Sequence, residues 1–303
     1  MSKFSTKQTG LLATSELGTF KGKAIYWSFF FIFVIASVVA IVPTLWTVAS
    51  AFKDTKEIYA SFTFFPKNLT WKKAGLRIVE SWQYLQFGKS FINTVILALG
   101  CWLIRIISVG FGGYALSKLK LKSSQLILVL IVWTMMMPAQ IRIVPNFMTI
   151  LNFPFASDYL PGLNLMDTFW PMWLHALSSP FSVLLFKNSF DALSDSYIEA
   201  ARIDGCSEFG TFFKIMFPLA MPVIIYESIN VLIGVWSDYF SPLLYLDQRV
   251  VVPLQLYRLK YDAALELNTY FMALVFASVP TFLIYAIFQK QIMGGINIGG
   301  VKG

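Results

Sequence analysis

Residues 187–214 hold the densest group of side chains able to do chemistry: Lys187, Asp191, Asp195, Glu199, Arg202, Asp204, Glu208 and Lys214 put eight charges into 28 positions. Their net charge is −2 in a chain of net charge +8, a pattern suited to pairing with another protein surface. Elsewhere the candidates are sparse. Arg105 and Glu227 each interrupt an otherwise uncharged apolar stretch, a setting that marks a pathway group or an internal ion pair. His175 stands alone as the one histidine, without the neighbouring Cys or carboxylates that a metal set needs. Cys101 and Cys206 are far apart and form no disulfide framework. Phe87-Gly88-Lys89-Ser90 looks like the end of a phosphate loop, yet the first glycine position of that motif is Gln83 and no strand precedes it. We therefore expect no catalytic residue, no metal and no cofactor on this chain.

The elements that hold these groups follow from composition. Hydrophobic residues make up 57% of the 303 positions and charged residues 13%, with 29 Phe, 13 Tyr and 9 Trp. Soluble domains carry about 25% charged residues, so this much apolar surface calls for a membrane. Uncharged windows run over residues 24–52, 123–141, 168–186 and 267–289, and two more, 90–117 and 215–237, contain only Arg105 and Glu227 respectively. About 20 residues of helix cross the hydrocarbon core, so all six windows are long enough. Their continuous apolar character, without two-residue alternation, excludes barrel strands. The expectation is an all-α membrane protein of six transmembrane helices, over about 24–52, 90–117, 123–145, 168–186, 215–237 and 267–289. Tails of residues 1–23 and 291–303 flank it.

Charge orients the domain. Lys3, Lys7, Lys21, Lys23, Lys290 and Lys302 flank the ends, and Lys118, Lys120 and Lys122 lie between the second and third spans. Both termini and residues 187–214 are then cytoplasmic. Residues 151–167 lack Lys and Arg and belong outside. The long first connection, with Lys53, Lys56, Lys67, Lys72, Lys73 and Arg77, dissents, but long loops obey the rule poorly. No basic run interleaved with aromatics is present, which excludes nucleic acid as a partner.

Within residues 187–214, Ser196-Tyr197-Ile198-Glu199 has capping-box spacing and predicts a helix starting at Ser196. Ala200 and Ala201 allow close approach of another surface, and Gly205 is placed to end the helix in a left-handed conformation. A second helix from Ser207 would line Phe209, Phe212, Phe213, Met216 and Phe217 along one face in the membrane interface until Pro218 stops it. Pro138, Pro171 and Pro180 predict kinks in the third and fourth spans. Trp133, Glu227, Asn230, Trp236 and Tyr239 are candidates for lining a pathway through the membrane.

The run Glu199-Ala200-Ala201-Arg202-Ile203-Asp204-Gly205, followed nine residues later by Ile215 and then Phe217-Pro218, resembles the EAA loop of ABC importer permeases, with Phe217 in place of the usual Leu. Asp204 before Gly205, Pro222, Asn93-Thr94, Met137-Pro138, Trp236-Ser237-Asp238-Tyr239 and the ending Gly300-Val301-Lys302-Gly303 are similar to the carbohydrate-uptake branch, of the maltose-transporter type. The resemblance implies a type I importer permease fold in the cell membrane, moving sugars or oligosaccharides. It further implies a second related permease, an ABC ATPase dimer, an extracellular or periplasmic sugar-binding protein and membrane lipid as partners. By the same resemblance Glu199, Ala200, Ala201, Asp204, Gly205, Phe209, Ile215 and Pro218 couple to the ATPase, and the tail residues Gly300, Val301 and Lys302 reach it. A proton-coupled secondary transporter with Glu227 as carrier is the alternative, although no two-half repeat supports it.

Overall fold

The computed structural model describes residues 19–60, 63–67, 69–119, 121–154 and 162–293. Lys3, Lys7, Lys120 and the tail residues Gly300, Val301 and Lys302 lie outside the described residues. In chain order the helices are α1 (Phe20–Ala51), α2 (Thr55–Ala60), α3 (Trp71–Tyr84), α4 (Phe87–Lys118), α5 (Ser124–Met136), a 3₁₀ turn (Ala139–Arg142), α6 (Ile143–Leu151), α7 (Trp170–Leu177), α8 (Pro180–Asp191), α9 (Ser196–Ile203) and α10 (Glu208–Thr211). A wide π turn (Phe212–Met216) follows, then α11 (Phe217–Leu219), α12 (Met221–Ser237), α13 (Phe240–Tyr245), α14 (Val252–Lys260) and α15 (Leu267–Met293). Among the described residues three helices, α1, α4 and α15, are long and apolar enough to cross a membrane unaided.

The remaining apolar windows are broken, which corrects the expectation of one helix per window. The third bends by 99° between α5 and the 3₁₀ turn, and the stretch entering α12 bends by 79°. Over residues 168–186 the chain forms two short helices, α7 and α8, rather than one span. The physical reason is shared by two of the breaks. Met137 and Ser179 both precede a proline and both take extended backbone, with ψ of 128° and 98°. A residue before proline is driven out of the helical region by the clash with the proline ring. Ser179 then caps α8 by accepting a hydrogen bond from the Ser182 N–H. Pro43 and Pro280, in contrast, sit inside continuous helices.

The chain divides into two compact units. In the first, residues up to 77 together with 266–275, the side chains of α1 are almost all exposed. Lys53 is buried there at 1% exposure. Its ammonium donates to the Thr63 carbonyl and lies 5.6 Å from the Trp46 ring centroid. Its carbonyl accepts from Arg77 and Asn268, at 2.5 and 3.1 Å, and Arg77 also pairs with Asp54 at 3.0 Å. Two of the basic residues that dissent from the charge rule thus have structural partners.

The second unit, residues 78–265 and 276 onward, is built around α4, which packs mainly on α8, α12 and α7. At Gly113 an added Cβ would lie 2.6 Å from the Phe186 Cβ and 2.8 Å from the Lys187 backbone nitrogen, so glycine is what lets α4 and α8 touch. One buried cluster joins Leu97, Met172, Val231, Tyr245 and Leu254. The other joins Val109, Phe186, Phe190, Ile198, Phe212, Met216 and Val223, and it is the floor on which α9 sits.

Candidate functional site

Two constellations in the second unit hold the residues singled out above. The first is α9 and its flanks. Ile198 and Ala201, three apart, face inward at 5% and 3% exposure, so Ala201 packs within its own chain. The opposite face presents Glu199, Ala200, Asp204 and Gly205, all exposed, with Ile203 at 87%, and Phe209 of α10 beyond the turn is 70% exposed. The Glu199 carboxylate has no partner among the described residues.

The end of α9 is a full Schellman motif. Gly205 has φ of +72°, the Cys206 N–H donates to the Ala201 carbonyl at 2.9 Å, and the Gly205 N–H donates to the Arg202 carbonyl at 3.1 Å. The left-handed stop expected at Gly205 is therefore present. The start differs from expectation. Ser196 is the first helical residue rather than the cap, and the capping box does not form. Its hydroxyl instead shares a 2.8 Å hydrogen bond with the Ser194 hydroxyl.

A brace invisible in the motif holds α9 to the end of α4. The Lys118 side chain is only 6% exposed, and its ammonium donates to Asp195 at 2.6 Å and to the Leu193 carbonyl at 2.7 Å. Beside it Asp191 accepts from Lys187 at 2.5 Å and from the Ser117 hydroxyl at 2.6 Å. Burial pushes the Asp191 carboxyl up, but those two bonds outweigh it and hold the group below the usual carboxylate range. Arg202 and Glu208 pair at 2.8 Å across the turn after α9. Sequence reasoning took Lys118 only as an orientation signal and did not single out Ile203; the i, i+3 spacing of Ala200 and Ile203 was the available clue.

The phenylalanine face after Ser207 does not act as one surface, which is a second correction. Ser207 caps α10, accepting from Gly210 N–H at 3.2 Å. Phe212 and Met216 are fully buried, Phe212 stacked on Phe111 at 4.3 Å and packed against Tyr114 at 5.2 Å, while Phe209 and Phe213 point outward. The π turn rotates the face midway, so one stripe becomes a core anchor and an exposed rim. Ile215 is half-buried at the edge of this core, and Pro218 lies exposed within α11 rather than ending the helix.

The second constellation is a cavity of about 670 Å³ between α4, α7, α8, α12 and α13 and the 3₁₀ turn, within the range of about 300–1,000 Å³ common for ligand pockets. Its wall carries Arg105, Arg142, His175, Glu227, Asn230 and Asp238. Arg105 and Glu227, read separately from sequence, meet here. Arg105 Nη1 lies 3.4 Å from Glu227 Oε1, and its Nε donates to the Ala176 carbonyl at 2.7 Å. The Ser182 hydroxyl donates to the same Glu227 oxygen at 2.6 Å. Glu227 is 3% exposed, and a buried carboxylate persists only with such partners.

Of the expected pathway residues, Glu227 and Asn230 line this cavity and the aromatics do not. Trp133 is 62% exposed on α5. Trp236 donates its indole N–H to the Ala277 carbonyl at 2.9 Å, and Tyr239 stacks on Tyr257 with centroids 4.8 Å apart.

Sequence reasoning also missed a polar clamp at Asp167. This residue has φ of +54°, and its Oδ1 accepts from three successive backbone N–H groups, of Asp247, Gln248 and Arg249, at 3.0, 3.0 and 3.1 Å. Burial raises the Asp167 carboxyl, but the three amides and Arg249 win and hold it below the usual range.

Comparison with known proteins shows a family. The model of binding-protein-dependent transport system inner membrane components matches residues 108–294. The probable ABC transporter permease protein YurM of Bacillus subtilis is 27% identical over 287 residues, covering 93% of this chain and 89% of that protein. The arabinooligosaccharides transport system permease protein AraQ of Bacillus subtilis is 30% identical over 221 residues, covering 71% of this chain and 74% of AraQ. Among solved structures, a bacterial ABC transporter involved in import of the acidic polysaccharide alginate superposes with a TM-score of 0.75 at 19% identity, over 93% of this chain and 99% of that one. At that identity the likeness speaks for the fold.

Proposed function

We propose that this chain, which belongs to the family of inner membrane components of binding-protein-dependent transport systems, is a permease subunit of an ATP-driven importer of oligosaccharides, coupled to its ATPase through α9. The observation that carries the reading is the outward face of α9. It combines a Glu199 carboxylate without a partner among the described residues with an exposed Ile203 on a helix whose other face is locked into the core, and Phe209 of α10 is exposed after the glycine stop. Exposed apolar side chains beside two carboxylates, Glu199 and Asp204, that have no partner among the described residues are what a cleft in another protein can bury and pair. Nucleotide closure of an ATPase dimer would push on α9, and the Lys118 brace and the Phe212 anchor would pass the movement to α4 and α12, a rigid-body switch of access.

A second related permease, an external sugar-binding protein and surrounding lipid complete the proposed assembly, with both termini cytoplasmic. The tail residues Gly300, Val301 and Lys302 belong to the proposed ATPase contact, as do Ala200, Asp204 and Gly205. Losing one partner of a partly buried charge pair costs about 2–5 kcal/mol. Glu199→Lys is therefore expected to abolish ATP-driven uptake and ATPase co-purification while membrane levels of the permease stay normal. Full uptake with the ATPase still attached would remove α9 from the mechanism.

A further inference from the structure

The ion pair in the cavity has more hydrogen-bonding capacity than its protein partners use. A guanidinium offers five N–H donors in a fixed fork and a carboxylate two acceptor oxygens. Arg105 uses Nε on the Ala176 carbonyl and Nη1 on Glu227, and its Nη2 has no partner among the described residues. Both bonds to Glu227 fall on Oε1, and Oε2 has none among the described residues. At 3.4 Å the Arg105–Glu227 contact is longer than a charge-assisted bond of about 2.7–2.9 Å, so the pair is held beside rather than clamped on itself. Ala176 and Ser182 fix the two groups from α7 and α8, which orients them without satisfying them.

The rest of the wall says what could be bound. Arg105 and Arg142 are matched by Glu227 and Asp238, so the lining has no net charge with His175 neutral. Asn230 adds an amide, its Nδ2 bonded to the Tyr226 carbonyl at 3.1 Å, and Asp238 caps α13 through the Phe240 and Ser241 N–H groups. Phe181 and Phe240, 54% and 44% exposed, give the same wall apolar faces. A charge-balanced lining of this kind does not select an anion. A donor fork beside a free carboxylate oxygen matches a group that both accepts and donates, and two neighbouring hydroxyls on a ring do so at once.

We propose that Arg105 and Glu227 form a hydroxyl-reading site for an uncharged saccharide, so that this chain binds cargo directly instead of only framing its path. The inference rests on the importer reading above and deepens it. Ser182 is a positioning residue that orders Glu227, and Phe181 and Phe240 receive the apolar ring face.

The test is saccharide binding to the assembled transporter in detergent without its external binding protein, using maltotriose, arabinotriose, diacetylchitobiose and trigalacturonate as probes. At least one of the three uncharged probes should bind, and trigalacturonate should not compete. Arg105→Gln with Glu227→Gln removes both charges without leaving either alone in the wall. It should weaken binding at least tenfold, the order expected when hydrogen bonds to charged groups are lost. If the double variant fails to assemble, Arg105→Lys carries the same expectation, because it keeps the charge but loses the planar fork. Unchanged affinity in the variant, preference for trigalacturonate, or no binding of any probe overturns the proposal. ATP-driven import by wild type that the double variant leaves intact sinks this inference alone, whereas a wild-type assembly that imports no saccharide sinks the importer reading.

Discussion

Replacing Gly205 tests the end of α9 with little confusion from sterics. A Cβ built at this position meets nothing of this chain within 4 Å, so within the chain a side chain there costs only what the backbone conformation imposes, and Asn and Val, of similar size, would meet a docked partner alike. At φ of +72° that cost is about 1–2 kcal/mol for an ordinary L residue. It is smallest for Asn, which tolerates the left-handed region, and largest for a β-branched residue. Leaving the conformation also breaks the bonds from Cys206 and Gly205 to the Ala201 and Arg202 carbonyls, worth about 1 kcal/mol each. Gly205→Asn should stay near wild type, Gly205→Ala should lose about 1 kcal/mol, and Gly205→Val about 2–4 kcal/mol of the docking geometry. In ATP-driven uptake by the assembled transporter, with permease levels matched by immunoblot, activity should fall in the order Gly, Asn, Ala, Val, the last by more than tenfold. Equal activity of the Asn and Val variants would refute the argument, because no steric difference remains to explain a rescue.

Lys118→Met removes two bonds from a side chain that is almost fully buried, and with Asp195 half exposed the cost is about 1–3 kcal/mol. Faster hydrogen exchange over residues 192–206 should report it, with Lys118→Arg closer to wild type. The Asp167 carboxyl is held below its unfolded value, so its stabilisation is complete above about pH 4 and disappears as pH falls through the folded pKa. The melting difference between wild type and Asp167→Asn should accordingly be larger at pH 7 than at pH 3; an equal gap at both would exclude an ionised clamp. In a background lacking Cys101 and Cys206, single cysteines at Ser194 and Lys72 should react with an impermeant reagent in intact cells only at position 72, and the reverse pattern inverts the topology.

The long apolar runs at residues 24–52 and 267–289 announced α1 and α15 in the sequence, because a chain in lipid must satisfy its backbone internally and helix is the local solution. Gly205 and Ser207 were legible for a related reason: a left-handed stop and a side-chain cap are local events of a few residues. Tertiary structure decided the rest. Prolines 43 and 280 continue helices while 138 and 180 begin new ones, and no local rule separates them, since packing alone determines whether the lost hydrogen bonds can be tolerated. Arg105 and Glu227 stood out as lone charges in sequence, yet their pairing spans 122 positions. Asp167 reaches amides 80 to 82 positions away. Composition names a charge that must find a partner in an apolar wall; only the packing of α4, α8 and α12 determines which partner it finds, because burial acts on distance in space and not on distance along the chain.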